Sequence, residues 1–185
     1  MITVNINGIS LELNTAPALF SPGGLDAGTQ AMLSCVEFTA EDKVLDLGCG
    51  YGVVGIYAAK LIGEAKVFMS DVDETAVRLA RENAARNGVP GIRVYLSDAF
   101  RGIDEAGFTL ILSNPPYHSD FSVAKRFIEK GFNRLTIGGR FVMVTKRRDW
   151  YKNKLTGVFG GVKIQERDGY FVFTAEKRST DYAKK

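Results

Sequence analysis

Asn114-Pro115-Pro116-Tyr117 brings together residue types suited to chemistry on a flat nitrogen compound. It follows the apolar run Thr109-Leu110-Ile111-Leu112-Ser113, short enough for a buried strand. Two prolines supply no backbone N–H, so the chain can neither continue as a central strand nor enter a helix there. It must leave the sheet stiffly, holding the Asn114 amide and two carbonyls near a strand's C-terminal end. In an open α/β sheet that end is where ligands bind. Fixed carbonyl acceptors beside an aromatic ring suit a planar substrate with an NH2 group. The Asn114 side-chain oxygen and the Pro115 carbonyl can accept from both N–H groups of such an amine and favour a pyramidal nitrogen with an available lone pair. Tyr117 would stack on such a planar group, a contact worth roughly 1–3 kcal/mol.

A second constellation runs from Val44 to Gly55 as Val-Leu-Asp-Leu-Gly-Cys-Gly-Tyr-Gly-Val-Val-Gly. Its glycines allow a tight strand-to-helix turn and a close approach of ligand to backbone. Gly50 to Gly55 also satisfies G-x-G-x-x-G, and Asp71 lies about 20 residues on, ready for ribose hydroxyls, so a nicotinamide cofactor is one reading. Asp46, just before the glycines, separates the readings. A carboxylate there disfavours a pyrophosphate but can hold the ammonium of an amino acid. Asp98 ends the following strand and can accept from an adenine amino group, with Val72 and Ala99 beside these acids. Carboxylates at three successive strand ends suit a cationic nucleoside joined to an amino acid, which is S-adenosylmethionine.

Asp46-Leu47-Gly48-Cys49-Gly50-Tyr51-Gly52 resembles the first motif of class I S-adenosylmethionine-dependent methyltransferases, and Asn114-Pro115-Pro116-Tyr117 resembles their N-P-P-[YF] motif. Phe20-Ser21-Pro22-Gly23-Gly24-Leu25-Asp26-Ala27-Gly28-Thr29-Gln30 is similar to a stretch of the ribosomal RNA guanine-N2 enzymes of the small-domain methyltransferase family. The resemblance covers nearly the whole chain. It implies an RNA partner, a ribosomal RNA or small-subunit particle, and methyl transfer to guanine N2. It also implies a loop around residues 20–30 lying over the cofactor, where Thr29 or Gln30 would touch it. Phe20 is then the candidate for the wall opposite Tyr117. Protein glutamine-N5 and adenine-N6 methylation remain as alternatives with the same Asn-Pro-Pro-Tyr chemistry. A cofactor-free scaffold is the alternative outside enzymology.

Other residues carry weaker signals. His118, the only histidine, is read as filling the substrate loop or facing solvent before it is read as a base. Cys49 is a small loop residue and Cys35 a core residue. Asp73 fits a helix N-cap better than a ribose site. Tyr51 either covers the cofactor or packs under the loop. Lys146-Arg147-Arg148, with Lys152 and Lys154, is a solvated face or a grip on phosphate.

The elements that must position these groups follow from periodicity. Ile2, Val4, Ile6 and Ile9, Leu11, Leu13 flank Asn7-Gly8, which predicts an N-terminal β-hairpin over residues 1–15. A loop and a helix from about Asp26 to Phe38 follow. From Lys43 strands at 43–47, 66–70, 92–96, 109–113 and 140–145 alternate with helices at 53–62, 74–86, 122–135 and 149–158. Repeated βα units imply a parallel sheet with right-handed crossovers. Val162–Arg167 and Tyr170–Glu176 flank Asp168-Gly169, a hairpin that adds one antiparallel strand. The expected fold is therefore α/β: a Rossmann-like, mostly parallel seven-stranded sheet. Its parts are the hairpin (1–15), a loop and helix over the cofactor (16–39), a catalytic core (40–178) and a tail (179–185). The whole segment from Lys177 onward reads as frayed and polar.

At 185 residues a single domain is the prior. An apolar fraction of 45% and a charged fraction of 24% suit a soluble globular protein. No apolar run approaches the roughly 18 residues of a membrane span, and the N-terminus lacks a signal-peptide pattern. Two cysteines make neither a disulfide framework nor a zinc site, so no metal and a reducing cytoplasm are expected. Net charge of +3 is too small to imply nucleic-acid binding alone.

Overall fold

Alternating strand and helix formers become, in the computed structural model, one seven-stranded sheet covered on both faces. The structure describes residues 1–17, 24–116 and 121–183. The hairpin strands β1 (Ile2–Ile6) and β2 (Ile9–Leu13) form a separate two-stranded sheet. Helix α1 (Ala27–Leu33) follows, and then β3 (Val44–Leu47), α2 (Val53–Ile62), β4 (Val67–Asp71), α3 (Glu74–Arg86) and β5 (Arg93–Leu96). The chain continues as β6 (Phe108–Ser113), α4 (Phe121–Arg134), β7 (Leu135–Thr145), α5 (Asp149–Phe159), β8 (Lys163–Arg167) and β9 (Tyr170–Glu176). A short 3-10 turn at Glu64–Lys66 precedes β4.

The sheet order is β5-β4-β3-β6-β7-β9-β8, parallel except for β9, which runs antiparallel to both neighbours. The order reverses between β3 and β6, so a crevice opens beyond their C-terminal ends. Strand β3 is buried along its whole length, as expected between two helical layers. Its side chains alternate: Val44 joins the core beneath the hairpin, α2 and α3, whereas Leu45 and Leu47 join the core beneath α4 and α5. Asp46 shares Val44's parity, and its carboxylate reaches α2. The two hairpin turns follow their sequence signals, with positive φ at Asn7 and Gly8 and at Asp168 and Gly169.

Three expectations are corrected. The predicted helix to Phe38 ends at Ser34, whose hydroxyl donates to the Ala31 carbonyl. Beyond it Cys35, Val36 and Phe38 still pack on the core, which explains why an apolar pattern persists without a helix. Strand β7 begins at Leu135 instead of 140, because Phe108 pairs with Leu135 before a register shift lets Leu110 pair with Arg140. The segment from Lys177 to Ala183 is docked instead of frayed. Lys177 is buried, its ammonium donates to the Leu135 carbonyl at 2.8 Å, and the Ala183 N–H bonds the Val158 carbonyl.

Candidate active site

The glycine loop bends because the residues after β3 adopt positive φ at Gly48, Gly50 and Gly52. Its backbone is held from two sides. The Ser70 carbonyl accepts from the Gly48 and Cys49 N–H groups. The Asp71 carboxylate accepts from the Gly50 N–H at 2.8 Å through one oxygen and from the Asp73 N–H at 3.0 Å through the other. Asp73 in turn caps α3, as its sequence position suggested.

Asp46 is 3% exposed and accepts from the Gly55 N–H at 2.9 Å, in the first turn of α2. The protein's own carboxylate therefore occupies a place where a dinucleotide fold would receive phosphate. Burial, with a smaller contribution from the negative charge of Asp71, raises the Asp46 carboxyl to about 7. Nearby, the buried Ser70 hydroxyl is the one buried side-chain polar atom without a hydrogen-bond partner among the described residues. A buried carboxylate held by a backbone N–H and an orphaned hydroxyl suit a cationic, hydrogen-bonding ligand.

Both line a cavity of about 540 Å³ at the crevice between β3 and β6. Of the cofactor positions expected from sequence, Asp46, Gly48, Gly50, Asp71, Val72, Asp98, Ala99 and Asn114 line it. Val72 is 68% exposed, an apolar surface at the rim. Ala99 holds a positive φ of 57°, a strained conformation for a residue with a Cβ. Asp98 pairs with Arg126 of α4 at 2.6 Å. Gly52 is outside the lining. A Cβ there would stand 3.3 Å from the Ala80 backbone, so this glycine lets α2 approach α3.

Pro115 and Pro116 also line the cavity. The Asn114 amide nitrogen donates to Asp26 Oδ2 at 2.7 Å and to Thr29 Oγ1 at 3.0 Å. A carboxylate can only accept, so the amide orientation is fixed, and the side-chain oxygen is left as the acceptor. Thr29, expected to meet a cofactor, lines the cavity and also accepts from Asn114. Tyr51 lines the cavity, its hydroxyl donates to the Gly24 carbonyl, and burial raises its phenol to about 12. Cys49 is buried and its thiol is pushed well up by burial, which leaves it inert.

Lys146 and Arg147 lie outside the cavity. They sit at the C-terminal end of β7, the Lys146 ammonium 4.9 Å from the Tyr170 ring and the Arg147 guanidinium 5.0 Å from the Phe121 ring. Phe20, Tyr117 and His118 fall outside the described residues. Asp26, Ser70, Ser97, Arg126 and Phe127 line the site without having been assigned to it from sequence. Only Asp26 carried a signal, its place in the Leu25-Asp26-Ala27-Gly28-Thr29 stretch.

This sheet order, with its antiparallel strand and a glycine-loop cavity at the switch point, defines the class I methyltransferase fold. Residues 10–174 match the methyltransferase small domain, and the chain belongs to that family. Ribosomal RNA small subunit methyltransferase C of Serratia proteamaculans is 34% identical over 165 residues, 87% of this chain and 47% of that protein. YbxB of Bacillus subtilis is 33% identical over 165 residues, 86% of this chain and 82% of that protein. The T. thermophilus 16S rRNA N2 G1207 methyltransferase, RsmC, in complex with AdoMet and guanosine superposes with a TM-score of 0.86 at 27% identity. That match covers 96% of this chain and 50% of RsmC. The chain thus spans about half the length of these two ribosomal RNA methyltransferases.

Proposed function

We propose that this protein is an S-adenosylmethionine-dependent N-methyltransferase acting on an exocyclic amine of an RNA base, guanine N2 of ribosomal RNA. The observation that carries this reading is the pinned Asn114 amide, whose oxygen is kept as an acceptor beside a cavity containing a buried carboxylate. The likeness to RsmC, solved with AdoMet and guanosine, supports both the cofactor and the base.

In this reading Asp46 holds the amino-acid ammonium, Asp71 the ribose hydroxyls, and Asp98 with Val72 and Ala99 the adenine. Gly48 and Gly50 let the ligand lie against bare backbone. When bound, the cofactor supplies a methyl group on a sulfonium sulfur: the N–C bond forms, the S–C bond breaks and a neutral thioether remains. Asn114 Oδ1 and the Pro115 carbonyl accept the two hydrogens of the target amine and stabilise the positive charge that develops on nitrogen. The surplus proton then leaves to water, so no strong base is required. Tyr117 and Phe20 are the proposed stacking walls, with Pro116 and His118 completing the base pocket. Lys146 and Arg147 grip phosphate outside it. The reading takes residues 1–185 as one catalytic domain, working in the cytoplasm on ribosomal RNA or a small-subunit particle. Among the described residues no helix is long and apolar enough to cross a membrane.

Nucleoside mass spectrometry of ribosomal RNA from a strain lacking this protein tests the proposal. Loss of N2-methylguanosine is expected, with return of the mark on re-expression. An unchanged nucleoside profile would overturn it, and loss of N6-methyladenosine alone would move the reading to adenine.

A further inference from the structure

Building on that methyl-transfer reading, we propose that Asp26 is the positioning residue for Asn114. Its carboxylate selects the amide orientation that turns an oxygen, and not an NH2 group, toward the target amine.

An asparagine amide can present either end to a ligand. With NH2 presented, two donors face each other and the target amine is repelled. Whatever occupies the nitrogen side therefore decides whether Asn114 helps or hinders. Two groups do so here, Asp26 Oδ2 at 2.7 Å and Thr29 Oγ1 at 3.0 Å. The threonine hydroxyl can donate or accept and tolerates either orientation. The carboxylate has only lone pairs to offer, so Asp26 makes the choice. A hydrogen bond from Asn114 to an anion also polarises the amide and makes its oxygen a stronger acceptor.

Asp26 is itself immobilised. The same Oδ2 accepts the Thr29 N–H at 2.7 Å and caps α1. Helix α1 is pressed against β9, since a Cβ on Gly28 would stand 3.0 Å from the Tyr170 ring. The preceding chain is tied to the glycine loop through the Tyr51 hydroxyl and the Gly24 carbonyl. The first helix, far from Asn114 in sequence, thus serves as a rigid mount for one acceptor atom.

A merely structural cap is the competing account, and Asp26→Ser separates the two. Serine is an equally good N-cap, but its hydroxyl is shorter and can donate, so it no longer dictates the amide. Single-turnover methyl transfer by Asp26→Ser is expected to fall about 10- to 100-fold. The Kd for S-adenosylhomocysteine and the KM for RNA should stay within about threefold. In an Asn114→Ala background, Asp26→Ser should add less than about threefold, because the residue it positions is gone. A readout independent of catalysis is hydrogen exchange of the Asn114 side-chain amide by NMR, slow in the wild type and faster in Asp26→Ser. Turnover by Asp26→Ser equal to wild type would overturn the proposal, as would losses that multiply in the double variant or unaltered amide exchange. A wild-type protein that neither binds cofactor nor transfers methyl would instead defeat the functional reading, and the exchange experiment would still decide the role of Asp26.

Discussion

In the proposed reaction two residues bear most of the chemistry, and their environments make opposite demands. Asn114 must keep an oxygen available. Asn114→Ala should therefore keep S-adenosylhomocysteine affinity while lowering the transfer rate by roughly 10²–10³, the scale of losing a positioned acceptor for developing charge. Single-turnover assays beside calorimetry check the pair of outcomes, and unchanged turnover would remove Asn114 from the reaction. Asp46 must be charged to attract an ammonium, yet burial raises its carboxyl to about 7. Ligand binding should then weaken as pH falls below about 7, approaching tenfold per pH unit. Asp46→Asn should bind weakly with a flat profile between pH 5.5 and 7.5. The stability of the ligand-free protein follows from the same asymmetry. The folded-state value lies above the ordinary carboxylate value of 3.8. The stability Asp46 contributes is thus fully present below pH 4 and is lost as pH rises through about 7. Asp46→Asn should raise the Tm of the empty protein at pH 8, by an energy of up to about 4 kcal/mol. Both residues were legible in the sequence, one from the diproline after an apolar run, the other as an acid inside a strand otherwise buried. Asp26 was legible only through a resemblance, and its use was not, because the contact joins segments 88 residues apart.

Elements bring the glycine loop to its shape, and here the sequence spoke less clearly. Asn83, inside α3, looks like an ordinary polar helix residue, and Asn87, just past its end, looks like no more than a helix cap. In the fold their amides replace a neighbouring strand for β2 and the chain after it. Asn83 exchanges hydrogen bonds with the Asn14 backbone N–H at 2.7 Å and carbonyl at 2.9 Å. Its amide also donates to the Tyr51 carbonyl at 2.8 Å. Asn87 does the same with the Glu12 N–H and carbonyl. The N-terminal hairpin is thereby fastened to α3, and through Asn83 to the glycine loop. No periodicity announces this, since the partners are backbone groups of a distant edge. Asn83→Ala strands three backbone groups, and about 2–4 kcal/mol of stability should be lost. Because one of the three belongs to the glycine loop, S-adenosylhomocysteine affinity should fall as well. Thermal unfolding and calorimetry on one preparation check both, and a loss of stability with unaltered affinity would mean that the hairpin and the loop are not coupled through Asn83. The contrast with Asn7-Gly8 and Asp168-Gly169 is instructive: turns are local and were read correctly, whereas docking is not local.

Across the whole molecule, charge is nearly balanced at +3, so the attraction for RNA that the proposed function requires has to come from where the cations lie. Strand β7 lies beside β6, and Lys146 and Arg147 follow the end of β7 on the same edge that carries Asn114-Pro115-Pro116. Arg147 lies over Phe121, which stacks on Trp150 with ring centroids 4.3 Å apart and planes 12° apart. Cations backed by rings, next to the cleft and outside it, suit the backbone of a strand whose target base is drawn inward. Replacing Lys146 and Arg147 together by glutamine keeps most of each stem but removes both charges. RNA affinity should fall, and the slope of log K against log salt should flatten by about 1.4 if both meet phosphates of a single strand. The methylated base should not change, because phosphate contacts carry no base identity. Asn114→Ala should do the reverse, leaving the slope intact while slowing transfer. Filter binding from 50 to 300 mM salt on the two variants separates grip from chemistry, and an unaltered slope in the glutamine variant would return these cations to the role of a solvated face.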